Sequence, residues 1–151
     1  MKECRTAVVP ASAAGVRLAA EAFDAFASAR AIPAEVVRSV QVALDEILSN
    51  TVRHGYGSQG EGCRIEIGFE IADGILEVTI QDDAPAFDPL AAPVPDTTSG
   101  LADRPAGGLG ILLTRRLMDD VEYERASGRN RVVLRKRTGA ATAPPLRPER
   151  P

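Results

Sequence analysis

The chain has no tryptophan, one histidine, two cysteines and few aromatics: four phenylalanines and two tyrosines in 151 residues. One histidine with two distant cysteines, Cys4 and Cys63, matches no zinc-ligand spacing, so a zinc site is not expected and both thiols read as buried core residues. Long apolar runs are missing as well. Nothing approaches the roughly 20 residues that cross a bilayer, and residues 1–10 lack the apolar centre of an export signal, so a cytoplasmic protein without a membrane partner is expected. A basic field is also absent: 18 Lys and Arg stand against 21 Asp and Glu, a net charge of −3. Direct nucleic-acid binding is therefore not expected.

What is present is an ordinary globular composition, 44% hydrophobic and 26% charged, at a length that fits one domain with its own core. A strand over residues 1–10 is followed by Ser12, a suitable N-cap for an Ala-rich helix over 13–30. Its apolar stripe is Val16, Ala19/Ala20, Phe23 and Phe26/Ala27. Pro33 suits the first turn of a second helix that runs to about His54 and stops at Gly55. There the stripe is Val36/Val37, Val40, Leu44, Ile47 and Thr51, and the opposite face carries Glu46, Asn50 and Arg53. From Cys63 the period becomes two, with Asp73-Gly74 as a hairpin turn and Leu76, Val78 and Ile80 on one face of the return strand. Residues 83–106 hold five prolines and no sustained period, the composition of a functional lid loop. A third helix with Leu109, Leu112/Leu113 and Leu117 on one side follows, then strands over 121–125 and 131–137 joined at residues 127–130. The architecture expected is α+β: a two-layer sandwich of one mixed, mostly antiparallel sheet with helices on one face. Residues 1–137 form the domain, and 138–151, with four prolines, a disordered tail.

Three groups of residues carry chemistry. Glu46 and Asn50, four apart, share a helix face. A carboxylate there can take a proton and an amide oxygen one turn on can meet a hard cation, although a plain solvated face would look the same. Asp82, in Asp82-Asp83-Ala84-Pro85-Ala86-Phe87-Asp88-Pro89, stands at a strand end, where it can accept a hydrogen bond from an exocyclic amine, or merely start a turn. Gly107-Gly108-Leu109-Gly110 opens a helix, where backbone N–H groups and the helix dipole favour an anion. No Gly-Lys-Ser/Thr follows, which excludes a P-loop, and no strand immediately precedes it as a Rossmann turn requires.

Taken in order, these segments resemble the GHKL (Bergerat-fold) ATPases with the histidine-kinase-like fold, and within them the anti-sigma factor serine kinases. ALDEILSNTVRHGYG (43–57) is similar to the family's N-box, IQDDAPAFDPL to its first glycine box and GGLGILLTRRLMDDVEYER to its second. Asn130 with Val132 and Leu134 resembles the closing hairpin. The resemblance implies that Asn50 binds the magnesium that bridges the phosphates and that Glu46 is the catalytic base. It implies that Asp82 reads adenine, that Gly108 and Gly110 cradle phosphates of ATP or ADP, and that Ala84, Phe87, Gly107 and Leu109 belong to the same site. His54 is expected as a packing residue. The family usually has glycine at the position of Ala84 and a small residue at Ala86. If the loop needs a positive φ there, both alanines are strained and nucleotide affinity falls. Relatives also often carry a hydroxyl near the start of the last strand, where this chain has Arg131 and Val133.

The function implied is a protein serine/threonine kinase that phosphorylates a STAS-type anti-sigma factor antagonist and also binds a sigma factor, with a homodimer left open. The alternatives are a non-catalytic, nucleotide-responsive partner-switching module and the ATPase part of a histidine-kinase-like system, for which no phosphoacceptor histidine stands before residue 40. A topoisomerase or chaperone ATPase is not expected at this size.

Overall fold

In the computed structural model, which describes residues 2–56, 62–91 and 108–139, the elements follow in the order β1 (Glu3–Pro10), α1 (Ala13–Ala29), α2 (Ala34–Asn50), β2 (Arg64–Ala72), β3 (Ile75–Asp82), α3 (Gly108–Leu117), β4 (Asp120–Ala126) and β5 (Arg129–Arg137). The five strands make one sheet in the order β1-β2-β3-β5-β4. Among the described residues every pairing is antiparallel, so the mixed sheet expected from sequence is corrected to an antiparallel one.

Residues facing the helices alternate along the inner strands, as a sheet wet on one side requires. Ile65, Ile67 and Phe69 from β2 and Leu76, Val78 and Ile80 from β3 are all at most 1% exposed. Phe23 and Phe26 of α1 pack on Phe69 with ring centroids 5.6 Å away in each case, in the tilted geometry aromatic pairs favour. Phe69→Ala would remove the shared partner of both rings, at a cost of about 3–5 kcal/mol. The turn from β1 into α1 is tight. Gly15 sits against the Pro10 carbonyl with no room for a side chain, and the Ser12 hydroxyl accepts the Gly15 N–H at 3.3 Å, the N-cap the sequence predicts. The hairpin at Asp73-Gly74 has positive φ at both residues, 52° and 76°, the two-residue turn whose twist matches the strands.

Several expectations are corrected. Pro33 stands one residue ahead of α2, which opens at Ala34. Gly55 does not stop the helix: beyond Asn50 the chain continues through a wider π-helical turn, Thr51–Tyr56. The Thr51 hydroxyl bonds back to the Ile47 carbonyl at 2.9 Å and disturbs the regular ladder, and the turn ends with Tyr56 buried. On α3 the buried side is Ile111 and Thr114, continued by Met118 just past its end, while Leu112 and Leu113 are 39% and 45% exposed. The last hairpin turns on Ser127-Gly128, both at positive φ, so Arg129 and Asn130 belong to β5. Cys4 is exposed, because β1 is an edge strand that buries only Val9, and Cys63, just ahead of β2, is half-buried. Residues 92–107 and 140–151, which hold most of the expected lid and tail, lie outside the described residues.

Candidate nucleotide site

The face of α2 that reads as solvated in the sequence is covered by α3. Glu46 is half-buried and Asn50 only 5% exposed. The contact is direct: Gly110, in the first turn of α3, lies against the Glu46 carboxylate, and a Cβ at that position would collide with it. A side chain here would thus push the Glu46 carboxylate from its place, by close approach rather than by backbone angle. Thr114, fully buried, hydrogen-bonds the Gly110 carbonyl at 2.9 Å. At the other end of α3, Lys136 reaches the Leu117 carbonyl at 2.6 Å, satisfying an end carbonyl of the helix with a cation. Gly108 and Leu109 open α3, and Gly107 lies outside the described residues.

Asn50 follows Glu46 by one turn on the same face. Among the described residues nothing hydrogen-bonds its amide, which is nevertheless not sealed from solvent. A nearly buried amide without a protein partner would cost stability unless something else meets it, and its oxygen is a hard donor of the kind magnesium takes. No cluster of three or more His, Cys, Asp or Glu exists among the described residues. A cation here would thus take one amide from the protein and the rest of its ligands from phosphates and water, the usual manner of magnesium.

The second half of the site is the end of β3. Asp82 is 4% exposed. Its Oδ1 accepts the Ala84 N–H at 3.0 Å and the Asn130 Nδ2 at 2.9 Å. Asp83 turns the other way: its Oδ1 accepts the Tyr56 hydroxyl at 3.0 Å, and its N–H donates to the Tyr56 hydroxyl oxygen at 3.3 Å. Burial, then this bond to Asp83, pushes the Tyr56 phenol well above its ordinary pKa. The π-helical turn is thereby tied to the strand end. Gly55 lies within van der Waals reach of Ala84 and Phe87, a Cβ there falling 3.7 Å from each. His54 is exposed, its ring 6.0 Å from that of Phe87, so its packing is confined to one loose ring contact.

The strain expected of the first glycine box is absent. Neither Ala84 nor Ala86 is among the residues at positive φ, and Ala84 is 2% exposed within the core. Its methyl group fills the space that Gly55 leaves open. Arg125 donates to the Ala84 carbonyl at 2.7 Å, and Arg115 to the Leu90 carbonyl at 3.2 Å, so the loop after Asp82 is held from two elements.

The structure therefore joins Glu46 to Gly110, and Asp82 to Ala84 and Phe87, with the turn after Asn50 touching the second group. A model of the histidine kinase-like ATPase domain matches residues 9–136. The chain belongs to that family. This ATPase domain is 33% identical over 99 residues to the serine-protein kinase RsbW of Bacillus pumilus, covering 62% of this chain and 61% of that one. It is 30% identical over 125 residues to the RsbW of Oceanobacillus iheyensis, covering 80% and 78%. Among solved structures it superposes on the RsbU and RsbW domains of Rv1364c from Mycobacterium tuberculosis with a TM-score of 0.65 at 14% identity, covering 89% of this chain and 32% of that one. The chain thus spans about three-fifths of the Bacillus pumilus kinase and a third of the mycobacterial chain. No helix among the described residues is long and apolar enough to cross a membrane.

Sequence reasoning missed Tyr56, Tyr123, Arg125 and the part Asn130 plays. The signal for Asn130 is its register: it pairs with Asp82 across β3 and β5, which only the strand pairing reveals.

Proposed function

We propose that this ATPase domain is an ATP-dependent protein serine/threonine kinase that phosphorylates a STAS-type anti-sigma factor antagonist and holds a sigma factor, switching partners with the phosphorylation state. The observation that carries this reading is the half-buried Glu46 carboxylate pressed on the first turn of α3, one turn before the unpartnered Asn50 amide. The names of the Bacillus and Oceanobacillus relatives support it.

On this reading Asp82 accepts the exocyclic amine of adenine, and Ala84 and Phe87 wall the base. The α3 N-terminus, with Gly107 to Gly110, receives the phosphates through backbone N–H groups and the helix dipole. Asn50 holds magnesium through its amide oxygen; when bound, the ion neutralises phosphate charge. The antagonist's hydroxyl oxygen bonds to the γ-phosphorus as the bond to the β–γ bridging oxygen breaks, and ADP leaves. Glu46 takes the hydroxyl proton. Position and charge neutralisation supply most of the acceleration, and the base about 10²–10⁴-fold.

Strain at Ala84 and Ala86 would favour a non-catalytic switching module, and neither residue stands at positive φ. The test is to incubate the protein with γ-labelled ATP and candidate antagonists, using Asn50→Ala as control. Label should appear on a serine or threonine of one antagonist with wild type, and Asn50→Ala should lose magnesium-dependent ATP binding. ATP binding without transfer to any antagonist would favour the switching module instead.

A further inference from the structure

We infer that Asn130 is a positioning residue for base recognition: it fixes the Asp82 carboxylate so that one oxygen is spent inside the protein and the other is kept for the exocyclic amine of adenine. The inference rests on the reading of Asp82 given above.

The Asn130 side chain is 3% exposed and makes six hydrogen bonds. Its Oδ1 accepts the Phe87 N–H at 3.2 Å, the Tyr123 hydroxyl at 2.6 Å and Arg125 at 3.1 Å. Its Nδ2 donates to Asp82 Oδ1 at 2.9 Å, to the Pro85 carbonyl at 3.1 Å and to the Ala84 carbonyl at 3.3 Å. The orientation of the amide is dictated by chemistry. The Phe87 N–H and Arg125 can only donate, so an oxygen faces them; the carboxylate and the two carbonyls accept, so the NH₂ faces those. With its bonds all taken by the protein, Asn130 has none left for a ligand.

The consequence falls on Asp82. Its Oδ1 takes two donors, while Oδ2 takes none among the described residues and is not sealed from solvent. A carboxylate held by one oxygen cannot turn freely, so the free oxygen has a fixed direction. Carboxylates pinned in this way discriminate by leaving a buried acceptor unpaired when the ligand lacks the matching donor. A hydroxyl at this position could donate one bond only, and could not join Asp82 to the Ala84, Pro85 and Phe87 backbone simultaneously.

The test uses ADP and purine riboside diphosphate, which differ in the base by the 6-amino group alone, titrated calorimetrically at pH 8. Wild type should prefer ADP by roughly ten- to a hundredfold, the usual worth of a charge-assisted hydrogen bond. Asn130→Asp keeps the accepting oxygen for Phe87, Tyr123 and Arg125 but removes the three donated bonds, and should bring the ratio to within about threefold of one. Asn130→Ala should do the same and carries the test if the aspartate variant does not fold. A purely structural role would lower both affinities together and leave the ratio intact, and that result in either folded variant overturns the inference. Equal affinities in the wild type would overturn the reading of Asp82 itself.

Discussion

Two side chains on β5 each gather partners from neighbouring segments, and they serve opposite ends. Asn130, on the helix-facing side, joins the β3 end and its loop through four bonds and β4 through two, yet Asp82 keeps an oxygen unspent. Arg135, five residues on and on the outer face, binds Glu77 of β3 at 2.9 Å and Asp120 and Glu122 of β4 at 2.7 and 2.9 Å. Burial works to lower the Arg135 pKa, but its hydrogen bonds to Glu122, Asp120 and Glu77 outweigh that and raise it. One cation among three carboxylates staples three strands and directs nothing toward the helices. The difference lies in what is left over: a cluster that spends its polar atoms on itself holds the sheet, and one that reserves an acceptor at a strand end is built to receive something.

The comparison can be broken at either end. The largest effect is expected from Gly110→Ala, because the added methyl collides with the Glu46 carboxylate. Displacing a reacting group by about 1 Å can cost around 10²-fold, so initial rates of phosphoryl transfer should fall at least that far; rates within a few-fold of wild type would mean that the contact does not matter. Asp82→Asn should weaken ADP by roughly 1.5–3 kcal/mol, read by calorimetry. Undiminished ADP binding would show that the β3 end does not read the base. Arg135→Ala leaves three carboxylates facing one another and should cost about 1–2 kcal/mol in urea unfolding, with ADP affinity unchanged within twofold. If ADP affinity drops in parallel, the two clusters are coupled and the contrast fails. The smallest effect is expected from Ala84→Gly. With no positive φ to relieve, it should cost up to about 1 kcal/mol of stability through the unfolded chain and should not raise nucleotide affinity. A clear gain in ADP affinity would restore the idea of a strained glycine box.

The strands, the Asp73-Gly74 turn and the stripes of α1 and α2 were legible because each depends on residues a few positions apart. The side of α3 that is buried was not. Leu112 and Leu113 are the more apolar pair, but the close approach of Gly110 to Glu46 fixes the rotation of the helix and turns Ile111 and Thr114 inward. The same packing buries Asn50, whose setting in the sequence gives it a solvated face. Glu46, Asn50 and Asp82 were readable as candidates because their motifs are local. Asn130 was visible only as part of a resemblance, since its partners at Asp82 and the loop that follows stand 43 to 48 residues away. Tyr56 faces inward only because the chain winds as a π-helical turn after Asn50, which a 3.6-residue period does not foresee.

The most direct test of the kinase reading is Glu46→Gln, which keeps the shape of the side chain and removes its basicity. A time course of antagonist phosphorylation should be run beside an ATP titration, for wild type and variant. The account predicts a fall in transfer of about 10²–10⁴-fold with ATP affinity nearly unchanged, because Glu46 acts on the attacking hydroxyl and contributes little to holding the nucleotide. Transfer at the wild-type rate would contradict it and leave Glu46 as no more than a carboxylate packed between two helices.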